Sequence, residues 1–186
     1  MVEKQFISAQ QLLEDSFKLG IGIINSGFKP NFIVGIWRGG TPVGIAVQEL
    51  LDYYGIVTDH IAIRTSSYEG IEKRKKEIRV HGLDYIAENI NAEDSLLIVD
   101  DVFDTGLSIE AVVNALKLKS RKNTPDDIRI ATVFYKPENR KVGFAPDYYV
   151  HKTESWLIFP HELDGLTTEE IELHKPGVAK LIIGVK

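Results

Sequence analysis

The chain has 186 residues, of which 44% are hydrophobic, enough for one domain with a substantial core. Its formal net charge of −5 argues against a general nucleic-acid-binding protein, and the absence of cysteine excludes disulfides, thiolate catalysis and cysteine-based zinc sites. The first ten residues lack an apolar signal-peptide core, and no run approaches the roughly 18 apolar residues that span a bilayer. We therefore expect a globular protein of the cytoplasm that binds neither nucleic acid nor membrane.

Helices and strands alternate along the first half of the chain. From the N-terminus we predict a helix over 8–25, a strand over 32–36, a helix from Thr41 and a strand over 58–65. A charged loop or hairpin over 72–77 follows, and then a short strand with a turn or half helix over 79–90. Ser8 and Gln11 fit a capping box for the first helix. Thr41 as N-cap and Pro42 at the first helical position predict the start of the second, with Tyr54 on its buried face.

The second half begins with a short apolar run and continues with the same alternation. We predict a strand over 95–99, a helix over 108–119, a polar turn over 123–126, a strand over 128–135, and short extended segments over 148–150 and 156–159. Thr167 and Glu170 fit a second capping box, and Pro176 with Gly177 interrupts the helix that follows it.

This order of elements predicts the fold class. Strands separated by helices imply right-handed crossovers, so we expect an α/β protein with a mostly parallel twisted sheet and helices on both faces. Residues 1–186 are predicted to form a single domain. From about residue 147 the sequence becomes aromatic and irregular, and we expect this part to form a small region over the carboxyl edge of the sheet.

Residues 96–108 carry the clearest chemical signal. The apolar strand runs into two adjacent carboxylates, Asp100 and Asp101, and Asp104 and Thr105 follow at a helix start. Ligands of open parallel sheets bind just beyond the carboxyl ends of strands, and the N–H groups of a helix start suit a phosphate. An acid pair for a diol or a metal beside a phosphate cradle predicts a sugar-phosphate site.

A second candidate anion site follows the strand over 32–36. Arg38 and two glycines, Gly39 and Gly40, stand between that strand and the next helix, a layout typical of anion binding. Taken alone, the same residues fit an ordinary tight turn with a surface arginine. The charged run over 72–77 is likewise either a solvated face or a mobile lid over a phosphate.

Other familiar sites are absent from the sequence. It has no Gly-x-Gly-x-x-Gly, no Walker-type Gly-Lys-Ser/Thr and no Gly-x-Ser-x-Gly. The five histidines are scattered without metal-ligand spacing. Asp101 and Asp104 are separated by two residues, whereas an aspartyl-phosphate enzyme of the haloacid-dehalogenase kind would need one.

Several stretches together resemble the 6-oxopurine branch of the type I phosphoribosyltransferases. The resembling segments are 96–108 (the phosphoribosyl-pyrophosphate, or PRPP, motif), 37–40 (the pyrophosphate loop), 66–68 with the charged run (the flexible catalytic loop), and 134–137, 147–149 and 156–162 (the purine-binding end). They stand in the family's order and extend over about 32–162. The branch includes xanthine-guanine and hypoxanthine-guanine phosphoribosyltransferases.

The resemblance implies roles on the PRPP side. Asp100 and Asp101 would bind the ribose hydroxyls or a Mg²⁺ that does, and Asp104 would be general base or acceptor at purine N7. The 5′-phosphate would be bound by the loop of Val102, Phe103, Asp104, Thr105, Gly106, Leu107 and Ser108. The pyrophosphate would be bound by Arg38, Gly39, Ser67 and Tyr68.

It also implies roles on the purine side. Lys136 would donate to the exocyclic oxygen O6, Trp156 would stack on the ring, and Leu157 would bind the purine edge through its backbone. Glu162 stands where the family usually has an aspartate near a second Mg²⁺. Taken alone, Trp156 would be expected in a core and Lys136 in solvent, so their order relative to the acid motif carries the assignment. The family often has a cis peptide before the residue that corresponds to Arg38.

The implied activity is transfer of the phosphoribosyl group from PRPP to hypoxanthine, guanine or xanthine. The products would be the nucleoside monophosphate and pyrophosphate, the cofactor Mg²⁺, the role purine salvage, and the assembly a homodimer or homotetramer. Two alternatives remain open at this stage: a regulatory protein of the same fold that binds PRPP or nucleotides without catalysis, and a phosphoribosyltransferase for another base.

Overall fold

The computed structural model describes residues 4–69 and 76–182. The strands are β1 (Lys4–Phe6), β2 (Phe32–Trp37), β3 (Asp59–Glu69), β4 (Lys76–His81), β5 (Ser95–Phe103), β6 (Asp127–Tyr135), β7 (Tyr148–Lys152) and β8 (Trp156–Ile158). The helices are α1 (Ala9–Asn25), α2 (Gly40–Tyr53), α3 (Asp84–Asn89), α4 (Leu107–Ser120), α5 (Thr168–His174) and α6 (Pro176–Ile182). Contacts divide the chain into two compact units, residues 13–154 and the two terminal segments 1–12 and 155–186.

The larger unit contains a six-stranded sheet in the order β4-β3-β2-β5-β6-β7. Every neighbouring pair is parallel except β3 and β4, which pair antiparallel. The predicted fold class, a mostly parallel sheet flanked by helices, is therefore confirmed. In the described residues no helix is long and apolar enough to cross a membrane.

The strand order reverses direction between β2 and β5. From β2 the chain proceeds outward through β3 to β4, whereas from β5 it proceeds the other way through β6 to β7. A reversal of this kind leaves a crevice at the carboxyl ends of the two central strands, where open α/β sheets bind their ligands. One candidate anion-binding segment, residues 38–40, follows β2, and the other, with the acid pair, ends β5.

Alternating strand residues account for the packing on the two sides of the sheet. Val34 and Ile98 belong to one buried cluster with side chains of α3 and α4, such as Ile86 and Val112. On β2 the backbone approaches α2 closely, because an added Cβ on Gly44 would lie 3.7 Å from the Cα of Gly35. These glycine contacts hold the start of α2 against the central strands.

Three predicted boundaries were wrong. Strand β3 continues to Glu69 instead of ending at residue 65, because its last residues pair with β4. Strand β5 continues through the acid pair to Phe103, because Asp100 and Phe103 pair with residues of β6, and the carboxylates therefore lie within the end of the strand. Helix α2 begins at Gly40 with Gly39 as N-cap, so Thr41 is not the cap. Tyr54, predicted on the buried face, is 54% exposed because it lies past the end of the helix.

The predicted charged loop or hairpin is partly described. Strands β3 and β4 form an antiparallel pair in which Ser67 lies opposite Ile78 and Glu69 opposite Lys76. The remainder of the run, 70–75, lies outside the described residues. Over 79–90 a short strand and a turn or half helix were predicted, and the structure has the end of β4 and the short helix α3 there.

The smaller unit is built on a parallel pair of short strands, β1 and β8. The ring of Phe6 stacks on His174 at 3.7 Å, and Lys4 forms an ion pair with Glu170 at 2.6 Å. The predicted capping box is confirmed, because Thr167 and Glu170 each bind the other's backbone N–H. Strand β1 was not predicted, since its three residues, Lys-Gln-Phe, carry no pattern.

Candidate active site

The loop after β2 lies directly over the acid pair of β5. An added Cβ on Gly39 would overlap the carboxylate oxygen Oδ2 of Asp101. An added Cβ on Gly40 would lie 2.8 Å from the Cα of Asp100 and would overlap the carbonyl oxygen of Val99. Only glycine fits at both positions, so the structure brings the two candidate anion-binding segments together. The peptide bond between Trp37 and Arg38 is cis.

The acid pair has an unusual electrostatic state. Burial raises the pKa of Asp100 well above its ordinary value, and the neighbouring Asp101 carboxylate raises it further. The backbone N–H groups of Asp101 and Gly40 lower it, and the Asp101 N–H donates to Asp100 Oδ1 at 3.0 Å. These donors do not offset burial and the neighbouring carboxylate, so the Asp100 carboxylate would be further stabilised by a cation or a ribose diol.

The loop after β5 forms a small cavity at the start of α4. The cavity has a volume of about 210 Å³ and is lined by Asp100, Val102, Phe103, Asp104, Thr105, Gly106, Ser108 and Ile109. Gly106, the N-cap of α4, has a φ of 79° and no side chain to cap the helix. The first-turn N–H groups and the hydroxyls of Thr105 and Ser108 therefore surround a space suited to a phosphate.

Asp104 and Lys136 are brought together at the ends of neighbouring strands. The Lys136 N–H donates to the carbonyl of Phe103 at 2.9 Å, which fixes the residue after β6 beside the acid motif. Its ammonium lies 3.8 Å from Asp104 Oδ2, and the side chain is only 7% exposed. The other oxygen of Asp104, Oδ1, is buried and has no hydrogen-bond partner among the described residues. Asp104 therefore has an acceptor that a ligand could satisfy.

The support behind the phosphate loop was missed by sequence reasoning. The Lys141 N–H donates to the Thr105 carbonyl at 2.9 Å, and an added Cβ on Gly106 would lie 2.5 Å from Val142 Cγ2. Phe144 contacts Phe103 edge to face, with ring centroids 6.0 Å apart. The segment over 140–146 looks like an ordinary loop in sequence, so no signal pointed to this role.

Three residues assigned to the purine side lie in the smaller unit. Trp156 is 57% exposed at the start of β8, and Leu157 is buried next to it. Glu162 Oε2 accepts the Phe159 N–H at 2.9 Å, so one of its oxygens is occupied by the turn after β8. Ser67 and Tyr68 lie in the larger unit, within the final residues of β3.

The described residues contain no group of three or more histidine, aspartate or glutamate side chains placed to hold a metal ion. Mg²⁺ usually binds one or two carboxylates together with substrate phosphates and water, rather than a complete cage of side chains. The adjacent carboxylates of Asp100 and Asp101, next to a phosphate-sized cavity, fit that donor set.

The fold and this geometry define a class. The protein is an open α/β protein whose crevice, at the sheet's switch point, combines an acid pair, a phosphate cradle and a lysine–aspartate pair. The family model of the phosphoribosyl transferase domain matches residues 5–164 of the chain. The chain belongs to this family, and the predicted resemblance to phosphoribosyltransferases is confirmed.

Individual relatives agree with the family. The chain is 30% identical over 185 residues to a hypoxanthine-guanine phosphoribosyltransferase of Lactococcus lactis, covering 97% of this chain and 91% of the relative. It is 27% identical over 164 residues to the enzyme of that name from Streptococcus pyogenes, covering 88% and 86%. Among solved structures, a purine phosphoribosyltransferase from Pyrococcus horikoshii matches with a TM-score of 0.70 and 27% identity, over 88% of this chain and 97% of that one.

Proposed function

We propose that the protein transfers the 5-phosphoribosyl group from PRPP to a 6-oxopurine, releasing the nucleoside monophosphate and pyrophosphate in purine salvage. The names of the relatives support the choice of a purine acceptor. The observation that carries the proposal is the packing of Gly39 and Gly40 on Asp100 and Asp101, beside the phosphate loop of α4. This arrangement supplies, within one crevice, groups suited to a ribose, a phosphate and a pyrophosphate.

The PRPP side of the mechanism uses the crevice itself. The 5′-phosphate binds at the start of α4, through the hydroxyls of Thr105 and Ser108 and the backbone N–H groups of the loop. Asp100 and Asp101 accept hydrogen bonds from the ribose hydroxyls and place negative charge near C1 as the C1–O bond breaks and the sugar becomes cationic. Arg38 and the Gly39 backbone bind the departing pyrophosphate, with Ser67 and Tyr68 of β3 assisting.

Asp104 and Lys136 act on the incoming base. The unpartnered Asp104 Oδ1 accepts the proton at purine N7, and the neighbouring Lys136 ammonium donates to O6. The two side chains lie 3.8 Å apart before the base binds, so both face the same end of the crevice. A 6-oxo group suits this lysine because it accepts a hydrogen bond, whereas a 6-amino group would present another donor.

The cofactor in this proposal is Mg²⁺, held by Asp100 and Asp101 together with oxygens of PRPP. The ion would neutralise charge on the pyrophosphate and the acid pair, which agrees with the raised pKa of Asp100. Glu162 is the candidate for contact with a second ion through its Oε1, because its Oε2 already accepts the Phe159 N–H.

The remaining elements of the proposal concern the rest of the chain. Trp156 stacks on the purine and Leu157 binds its edge, with the region from about residue 147 serving as a base-binding hood of one domain. The protein acts in the cytoplasm as a homodimer or homotetramer. The 57% exposure of Trp156 supports its part in this, since a solvent-accessible indole can stack on a planar base.

An assay of the purified protein tests the central proposal. PRPP and Mg²⁺ are supplied with hypoxanthine, guanine, xanthine, adenine, uracil and orotate in turn, and nucleotide and pyrophosphate are measured. We expect product with at least one 6-oxopurine and little with adenine. Product only with a pyrimidine would contradict the purine assignment, and binding of PRPP without product from any base would favour the regulatory alternative.

The role of Asp104 is tested by Asp104→Asn. We expect turnover to fall by about 100-fold or more, the usual contribution of a general base, with a small change in the KM for PRPP. Asp52→Asn is the matched control, because Asp52 is an exposed acid of α2 whose carboxylate accepts only from Gln48 among the described contacts. Near-normal turnover of Asp104→Asn would contradict the assignment.

The role of Trp156 is tested by Trp156→Ala. Loss of stacking should raise the KM for the purine by about 10-fold or more, given about 1–3 kcal/mol for a base stacked on an aromatic side chain. The KM for PRPP should change little. Tyr53→Ala, which removes an 82% exposed aromatic ring of α2 outside the proposed site, is the control. Equal effects on both substrates would argue against stacking.

A further inference from the structure

A second cavity lies at the other end of helix α4 from the phosphate loop. It has a volume of about 680 Å³ and is bounded by the last turns of α4, the turn Arg121–Asn123, the start of β6 and the segment before β7. None of the residues that line it lines the cavity of the phosphate loop. All of it belongs to the larger unit. Its size is within the 300–1,000 Å³ typical of small-ligand pockets.

The floor of this cavity is apolar. Ile128 and Ile130 of β6, Val113 of α4 and the ring of Phe144 line it. Ile130 belongs to the hydrophobic core cluster, and the other three pack against that cluster as partly buried side chains. Part of the core's edge is therefore open to a ligand with a flat apolar face.

The rim of the cavity is basic. Lys117, Arg121 and Lys122 are exposed there, and no ion pair joins any of them to a carboxylate within the described part of the chain. Two carboxylates also line the cavity, Asp126 and Asp147, and Asp147 Oδ2 accepts the Ile130 N–H at 2.8 Å. Three cations against two carboxylates leave a positive rim on a chain whose net charge is −5.

Arg121 occupies its position against the preference of the backbone. It is the C-cap of α4 with φ 52° and ψ −116°, and it is the one non-glycine residue with positive φ in the described ranges 4–69 and 76–182. Glycine is the usual residue at positive φ, because an L side chain rarely adopts this backbone region. An arginine that lines a cavity in a strained backbone conformation indicates that its side chain has a use there.

We propose that this cavity binds a phosphorylated aromatic molecule of the nucleotide class, with the base on the apolar floor and the phosphates at Arg121, Lys117 and Lys122. The floor offers the Phe144 ring and aliphatic side chains for a planar base. Arg121 offers a planar, bidentate group for phosphate, and the lysines add point charges. A bare phosphate would leave the floor uncovered, and an uncharged nucleoside would leave the rim unsatisfied.

The bound nucleotide would affect the phosphate loop. Phe144 forms part of the floor on one side and contacts Phe103 on the other, and the same segment binds Thr105 through Lys141. A ligand that holds this segment changes the support of the loop that is proposed to bind PRPP. The affinity for PRPP should therefore shift by several-fold when the cavity is filled, an effect that rests on the proposed function.

Calorimetric titration with ATP and with GTP tests the site. Saturating PRPP is present to occupy the active site, and the variant is Arg121→Gly. We expect nucleotide binding that persists with PRPP and weakens at least 10-fold in the variant. The variant should also melt at a higher temperature than the wild type without ligand, because glycine relieves the backbone. Lys119→Gln is the matched control, since Lys119 pairs with Asp84 and does not line the cavity, and its affinity should be unchanged.

Each other outcome would contradict the proposal. Nucleotide binding that PRPP abolishes would place the ligand in the active site, and equal affinity of Arg121→Gly and wild type would exclude the rim. Tripolyphosphate or adenosine binding as tightly as ATP would exclude a combined site for base and phosphate. A nucleotide that binds with no change in PRPP affinity would exclude the coupling. If the protein neither binds nor turns over PRPP, the proposed function fails, while the loss of nucleotide affinity in Arg121→Gly still decides whether the site exists.

Discussion

Gly39 and Gly40 are the residues on which the geometry of the candidate site depends most directly. Their lack of a side chain lets the backbone after β2 lie against Asp101 and Asp100. Neither glycine has a positive φ, so their requirement is close approach and not an unusual backbone conformation. The consequence is that even a methyl group at either position must displace the acid pair or the loop.

Gly39→Ala should therefore lower activity by about 100-fold, the loss that a displacement of about 1 Å at a reacting centre can cause. Steady-state kinetics with PRPP and the preferred purine measure it. Gly22→Ala is the control, because an added Cβ at Gly22, inside α1, meets nothing within 4 Å. That control should keep full activity and gain about 1 kcal/mol of stability, as glycine is a poor helix former. Full activity in Gly39→Ala would contradict the close packing.

Asp100 is needed for the proposed function but lowers the stability of the folded protein at neutral pH. Its folded-state pKa lies above its ordinary value, so the folded protein holds this proton more tightly than the unfolded chain. The ionised carboxylate therefore costs stability as the pH rises from the unfolded pKa toward the raised one. Below the unfolded pKa both states are protonated and the cost disappears.

Asp100→Asn should raise the melting temperature at neutral pH by about 2–4 °C, the shift that about 1 kcal/mol gives in a chain of this length. A chelator is included so that no cation neutralises the pair. The gain should shrink as the pH is lowered toward 4, and activity should fall. Thermal melts across that pH range measure it, and a gain that grows on acidification would contradict the sign. Asp52→Asn should show no such gain.

At the scale of single elements, a buried carboxylate connects helix α1 to the edge strand β7. Asp15 is 1% exposed and accepts from Lys18 Nζ at 2.7 Å and from His151 Nε2 at 2.8 Å. Burial works to raise its pKa, but the hydrogen bonds from Lys18 and His151 outweigh burial, and the pKa is lowered below 3.8. The contact therefore stabilises the fold as long as Asp15 is ionised.

Asp15→Ala should cost about 2–3 kcal/mol at neutral pH, the range for hydrogen bonds to a charged group. Urea unfolding of the variant and the wild type measures the difference. Lys18→Gln should cost much less than Asp15→Ala, because Lys18 is 61% exposed and solvent screens its ion pair. Because the folded pKa is lowered, the cost of Asp15→Ala should stay constant down to about pH 4 and decline only below it. A decline that is complete by pH 5 would contradict this account.

The elements differ in how far sequence could predict them. Helix α1 and strands β2 and β6 were predicted within a residue or two, because apolar spacing and caps are local signals. The extension of β5 through Asp100 was not predictable, since it depends on pairing with Thr132 and its neighbours on β6. Strand β1 was missed for the same reason, because it is a strand through its pairing with β8, which lies about 150 residues away in the sequence.

The candidate site shows the same division. The order of the acid motif, the glycine loop and Lys136 in the sequence predicted that they would meet, and all lie in one crevice of the larger unit. The close approach of Gly40 to β5 and the support by Phe144 were not predictable. Both are contacts between segments far apart in sequence, which no local pattern specifies. The residues of the smaller unit keep their assigned roles as predictions.

At the scale of the whole molecule, the order of the strands explains why this chain has its site where it does. The two central strands, β2 and β5, each end in a loop and a helix start, and they are neighbours because the sheet reverses between them. The acid pair and phosphate loop at the end of β5 thus meet the loop of Gly39 and Gly40 at the end of β2, although the two segments lie far apart in the sequence. The outer strands β4 and β7 complete the sheet on either side.

The pairing of β2 with β5 also has a consequence for the order of events in folding. Strands β3 and β4 and helix α3 lie between them in the chain, so their contact closes a long loop and is expected to form later than local helices. After dilution from urea, the helical circular-dichroism signal should return before PRPP-dependent turnover, which needs both strand ends in register. Turnover that recovers in step with the first helical signal would mean that this central pair forms at the start, and that the crevice is the nucleus on which the rest of the sheet condenses.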